Sequence, residues 1–186
     1  MASITYAEKS SSRVCIVVQP PERVGAGTWL VPPLVARTDS PRILEIFRDR
    51  PVDIFATLML TGSNGVDATG SNIDGNRSAS GQLLESQPPG SQNKTGDGSS
   101  SSGSSSQAPR QWIYFIFSGL SIKKAGVYTF TVGVSDMNRQ ADEVETLSIE
   151  KSREVNVVDE QVPPGRPSTG EQEILDELKK KDLYSP

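Results

Sequence analysis

The run RQWIYFIFSGL, residues 110–120, alternates Trp112, Tyr114 and Ile116 with Ile113, Phe115 and Phe117. Successive side chains of an extended segment point to opposite faces, so both faces of this strand are apolar, and it is the strongest core element of the chain. After KKAG comes VYTFTVGVSD, with Tyr128, Phe130, Val132 and Val134 on one face. The pair is expected to form an antiparallel hairpin closed by Lys-Lys-Ala-Gly.

Other segments carry the same signal. RVCIVVQ, with Val14, Ile16, Val17 and Val18, reads as a first strand stopped by Pro20 and Pro21. PLVAR reads as a short extended segment, and VDIFATLML, residues 52–60, as a strand buried on both sides. VETLSIEKSREVNVVD supplies one or two more strands, ended by Pro163 and Pro164. SPRILEIFRD, ended by Pro51, is open between helix and strand. In STGEQEILDELKKKDLY, Ile174, Leu175 and Leu178 have helical spacing, with Glu171 and Glu173 near the start and Lys179 to Lys181 near the finish. That order suits the helix dipole, so a short C-terminal helix is expected.

Residues 62–109 are rich in Gly, Ser, Asn, Gln and Asp, and Leu83 and Leu84 are their only apolar pair. Such a tract buries too little apolar surface to offset its conformational entropy, which predicts a long disordered insertion at one edge of the fold. The expected organisation is a flexible tail over 1–12, one domain over 13–178 interrupted by that insertion, and a tail over 179–186. The fold class is all-β: an immunoglobulin-like sandwich with a short C-terminal helix.

Composition excludes several chemistries. The chain has no histidine and one cysteine, Cys15, which removes Ser-His-Asp catalysis, an intrachain disulfide and Cys-rich zinc sites. Cys15, within an apolar run, reads as a small core hydrophobe in a reducing compartment. Asp136, Asp142, Glu143 and Glu145 show no metal-loop spacing. No cofactor, small-molecule substrate or catalytic residue is expected. Neither a secretory leader nor a membrane span is visible. A net charge of −4 gives no global pull toward nucleic acid, so any DNA contact depends on a local patch.

QPPERVGAG followed by VPPLV, with FIFSGLSIKKAGVYTFTVGVSDM and the closing VPPGRPST, resembles the velvet domain, a fungal regulatory module. The resemblance covers roughly residues 13–60 and 110–178. It implies a sandwich like the DNA-binding domain of Rel factors, homo- or heterodimers with other velvet proteins, promoter DNA as a ligand and a nuclear location. The implied role is control of sporulation and secondary metabolism. Velvet loops usually carry an Arg pair before the Pro-rich run. Here no basic residue occurs from Val24 to Leu34, and phosphate neutralisation dominates DNA affinity, so direct binding is expected to be weakened.

Arg23 is the loop position that the resemblance carries over as a DNA contact. Arg13, Arg37 and Arg42 join it by proximity in sequence, and Lys123 and Lys124 by their place at a hairpin tip that could equally be just solvated. Trp29, Leu30 and Val31 replace the charges with an apolar face and are candidate partner contacts, although a tryptophan here also fits a cap on a sandwich core. The Lys179–Lys181 run reads as a helix end or part of an import signal. The sequons at Asn76 and Asn93 read as chance matches, and the Ser-rich tract as a spacer or a phosphorylation target. The rival function is an intracellular adaptor that adds a partner strand to an exposed sheet edge, with no nucleic-acid role.

Overall fold

The computed structural model describes residues 13–86, 110–138 and 143–185. The expected N-terminal tail, Asn93, Asp142 and residues 87–109 of the expected insertion lie outside them.

Two sheets carry the fold. The first has the order β1 (Val14–Val18), β3 (Leu34–Thr38), β8 (Arg110–Phe117), β7 (Gln82–Ser86), all neighbours antiparallel. The second has the order β2 (Arg23–Gly25), β11 (Glu143–Val158), β10 (Gly126–Asn138), β4 (Ile54–Gly62), β6 (Ser78–Ser80), with only the β2–β11 pairing parallel. A small ladder joins β5 (Ile73–Asp74) to β9 (Ser121–Ile122). The helices are α1 (Pro41–Asp49), α2 (Thr69–Asn72) and α3 (Thr169–Lys180).

The core lies between the two sheets. Leu34, Ala36, Ile113, Phe115 and Phe117 from one face Ile54, Ala56, Leu58, Leu60, Phe130, Val132 and Val134 from the other in a single buried cluster. Complete burial of a side chain the size of Phe115 contributes about 1.5–3 kcal/mol. SPRILEIFRD resolves as a helix: Pro41 is pre-set for the first turn, and Ile43 and Phe47, one turn apart, both enter the core.

A second cluster forms on the far side of the first sheet, where Val18, Val35, Leu84 and Tyr114 meet Leu175 and Leu178 of α3. This is why RQWIYFIF is apolar on both faces: its odd-numbered residues face the sandwich and its even-numbered ones lie on the α3 side. The C-terminal helix forms as its sequence directs, with Ser168 and Glu171 closing a reciprocal capping box. Leu183 and Tyr184 pack on the same cluster, so the folded region extends into the stretch expected as a tail.

Several sequence expectations are corrected. β8 and β10 do not form a hairpin. They belong to different sheets and stack face to face, with Phe115 and Phe130 in one core. The connection therefore crosses the sandwich, through Gly119 at φ 64° and the strand β9. VDIFATLML buries only one face: Ile54, Ala56, Leu58 and Leu60 point inward, while Met59 is 51% exposed. Cys15 is exposed and not a core residue. Residues 62–86, read as part of a disordered insertion, hold α2 and three strands. The chain there passes from β6, on one sheet's edge, to β7, on the other's. Gly81 makes that passage possible, since a Cβ would lie 2.8 Å from Phe47 and 2.9 Å from Ile113.

Candidate functional site

The loop between β1 and β3 is pinned at both ends and along its length. Its short strand β2 pairs with the end of β11, Arg23 opposite Asn156 and Gly25 opposite Val158. The Ala26 N–H then donates to the Val158 carbonyl (2.8 Å), the Gly27 N–H to Ile122 (2.7 Å) and the Leu30 N–H to Leu120 (2.7 Å). Gly27 sits at φ 70°, a left-handed turn that an L side chain would strain. The closing segment VPPGRPS packs underneath: a Cβ on Gly165 would stand 2.9 Å from Pro21 and 3.0 Å from the Val31 carbonyl.

This lacing separates the three apolar residues of the loop. Leu30 is 4% exposed and anchors the loop in the main core, which corrects its assignment as a partner contact. Trp29 stands 59% exposed, bridged through its backbone to Ser121, so it does not cap the core. Val31 is also exposed. A tryptophan held outward on a braced backbone loses little further entropy when a partner covers it.

The candidate cations do not form one patch. Arg23 forms an ion pair with Glu160, and Lys123 pairs with Asp74 at 2.8 Å. Both stand at the Trp29 end of the sandwich. Lys124 is exposed there with no partner among the described residues. Arg42 grips Glu145 through both carboxylate oxygens, at 2.8 and 2.9 Å. Glu145 pairs with Asp136, whereas Arg23's neighbour Asn156 pairs with Val127. Nine residues of extended chain separate those positions, about 30 Å. Arg42 therefore lies far from the loop, and so does Arg13, whose carbonyl accepts from Thr38 at the start of β1.

Arg37 lies on the α3 side of the first sheet. Its guanidinium stacks 4.0 Å from the Trp112 ring centroid and donates to the Tyr114 hydroxyl at 3.0 Å. Burial pushes the Tyr114 phenol up, against the opposing pull of Arg37. Arg37 is thus a structural cation rather than a free phosphate contact.

Sequence reasoning missed the polar brace behind the loop. Arg153, on β11, donates to the Pro20 carbonyl (2.8 Å) and pairs with Glu22 (3.3 Å), while its N–H donates to the Gln19 side chain (3.0 Å). Glu160, which neutralises Arg23, was also missed. Both partners lie more than 130 residues along the chain from the loop, and no local pattern marks such a pair.

Among the described residues no group of three or more His, Cys, Asp or Glu is placed to hold a metal, and no helix is long and apolar enough to cross a membrane. The chain matches no protein-family model, and no curated protein matches it in sequence.

Proposed function

We propose that this chain is a velvet-type transcription regulator of fungal development and secondary metabolism. In this reading it is a non-enzymatic nuclear protein on an immunoglobulin-like, Rel-related sandwich, and it acts as a dimer with another velvet protein that supplies most of the phosphate contacts. The supporting observation is the loop: Arg23 is tied to Glu160 while Trp29 and Val31 are offered to solvent. A loop so arranged suits protein contact better than phosphate contact, since an arginine already neutralised by a carboxylate adds little to DNA affinity.

The test is the mobility of fungal promoter DNA with this chain alone and with a co-expressed basic velvet protein, at low and physiological salt. The expected result is a shift that needs the partner and exceeds the partner's own. A complex that binds DNA no better than the partner alone overturns the reading. Glu160→Gln, which frees Arg23, should strengthen binding and steepen its salt dependence by about one phosphate contact.

One observation favours the adaptor reading: β2 covers the outer edge of β11 only at Asn156–Val158, although β11 begins at Glu143. A partner strand added there would bind through main-chain hydrogen bonds, with little change between low and high salt.

A further inference from the structure

A cavity of about 360 Å³ opens between three segments that the fold ties together. The first is the turn after β4, closed by hydrogen bonds from the Gly62 N–H to the Val66 carbonyl (3.0 Å) and from the Gly65 N–H to the Gly62 carbonyl (2.9 Å). The Ser63 N–H joins that turn to the second segment, the start of β10, through the Val127 carbonyl (3.0 Å). The third is α2, whose last residue, Asn72, is held on both sides of its backbone. Its N–H donates to the Ala68 carbonyl (3.0 Å), and its own carbonyl accepts from the Lys123 N–H (2.8 Å). Walls fixed in this way need little ordering when a ligand enters.

The polar side chains of these walls are under-used. Asn72 makes one long contact, from Nδ2 to the Tyr128 hydroxyl at 3.4 Å, and its Oδ1 is buried without a partner among the described residues. A buried acceptor in that state is costly to the fold. The Tyr128 hydroxyl, on a residue only 7% exposed, accepts the long contact and finds no acceptor for its own proton among the described residues. The hydroxyls of Ser63 and Ser71 likewise have no hydrogen-bond partner there. Asn64 places its Oδ1 on the Val66 N–H (3.1 Å), which leaves its Nδ2 unused. Asp67 accepts from the Thr69 N–H (2.8 Å), and a carboxylate has capacity for further donors.

We propose that this cavity binds a neutral sugar ring through its hydroxyl groups. The walls set donors, the Asn64 amide and the serine and tyrosine hydroxyls, beside acceptors, the Asn72 oxygen and the Asp67 carboxylate. A sugar hydroxyl both donates and accepts, so it answers both kinds of group. An ammonium only donates and leaves the Asn64 amide unmatched. A phosphate or carboxylate only accepts and meets the negative charge of Asp67. No arginine or lysine lines the cavity to offset that charge, and Arg77, the cation that acts on Asp67, donates to the Thr69 carbonyl (3.4 Å) outside it. Thr69, through its side chain and its N–H, holds the Asp67 carboxyl below the usual aspartate range, so it is an acceptor at neutral pH. The volume is at the small end for ligand pockets and suits a single ring. Val66, exposed on the wall, offers the C–H face of that ring an apolar seat. One hydroxyl set against Asn72 and Tyr128 takes the phenolic proton and donates to the orphaned oxygen. None of this draws on the transcriptional reading.

NMR titration of the isotope-labelled full chain with glucose, mannose, galactose and N-acetylglucosamine, each up to about 100 mM, tests the proposal. The expected result is a saturable shift with at least one of these sugars, confined to the amides of residues 62–72 and 126–128. Its dissociation constant should be on the order of 1–10 mM, as suits a small ligand in an open site. Ser71→Ala and Tyr128→Phe, each of which removes one hydroxyl, should weaken it by about three- to tenfold. Ser71 is exposed, so Ser71→Ala should unfold at the wild-type temperature, and its effect reads binding rather than folding. Sodium phosphate should give no saturable shift at these amides. The proposal is overturned if none of the four sugars shifts them, if the shifts lie elsewhere, or if phosphate binds there more tightly than any sugar. Binding that survives both variants unchanged overturns it as well. A failed DNA shift leaves it standing.

Discussion

Glu171 accepts a hydrogen bond at 2.8 Å from the backbone N–H of Gln19, 152 residues earlier in the chain. Its other carboxylate oxygen accepts from the Ser168 N–H at 2.7 Å and so closes the capping box of α3. One side chain therefore caps the C-terminal helix and ties it to the start of the Pro-rich loop.

This tie should depend on pH. Burial pushes the Glu171 carboxyl up, but the hydrogen bonds from the Gln19 and Ser168 N–H groups and the Ser168 side chain, with Arg153 nearby, outweigh it and hold the group below the usual glutamate range. A carboxyl lowered in the folded state contributes stability that is fully present above its unfolded value and lost as pH falls through its folded value. Acid should thus weaken the hold on α3 only as pH falls below the usual glutamate range. Glu171→Gln should cost about 1 kcal/mol, the carboxylate being only partly shielded from water, and should flatten the acid limb. Thermal unfolding from neutral to acidic pH, comparing the two proteins, measures it. An unchanged acid limb in Glu171→Gln would remove Glu171 as its source.

Trp29 and Leu30 are neighbours with opposite roles. Leu30→Ala empties a buried site and should cost about 2–4 kcal/mol. Trp29→Ala should change stability by less than about 0.5 kcal/mol, as surface substitutions do, and weaken partner binding by tenfold or more, about 1.4 kcal/mol. Denaturant unfolding, and titration with the velvet protein that the proposed function calls for, separate the two effects. A stability loss for Trp29→Ala as large as that for Leu30→Ala would place the tryptophan in the core instead.

Gly75 adopts φ 101°, and a Cβ there would run into the Gly119 carbonyl. Gly75→Ala should therefore cost about 3 kcal/mol or more by forcing β5 away from β9. Chemical denaturation gives the loss directly. A near-neutral result would mean that this ladder moves freely relative to the sandwich.

Much of this was legible in local pattern. The β-branched and alternating runs with their proline stops marked β1, β3, β4, β8, β10 and β11, and the apolar spacing with acidic start and basic finish marked α3, because such signals act over a few neighbouring residues. Polarity misled at 62–86. Single apolar residues there, Ile73, Ala79 and Leu84, are buried against β9, β4 and the α3 cluster. That burial suffices once a larger core is present, although no window of the tract looks foldable alone.

The sequence by itself determined which segments extend, where the helix at the end begins, and that the Pro-rich loop carries no cation between Val24 and Leu34. Only the tertiary structure decided that β8 and β10 stack across the core rather than pair edge to edge, that Leu30 points inward and Trp29 outward, and that Arg23 meets Glu160. Those outcomes depend on partners far along the chain. Each is settled by which arrangement covers the apolar faces and pairs the charges of the whole molecule, a sum to which no single segment holds the answer.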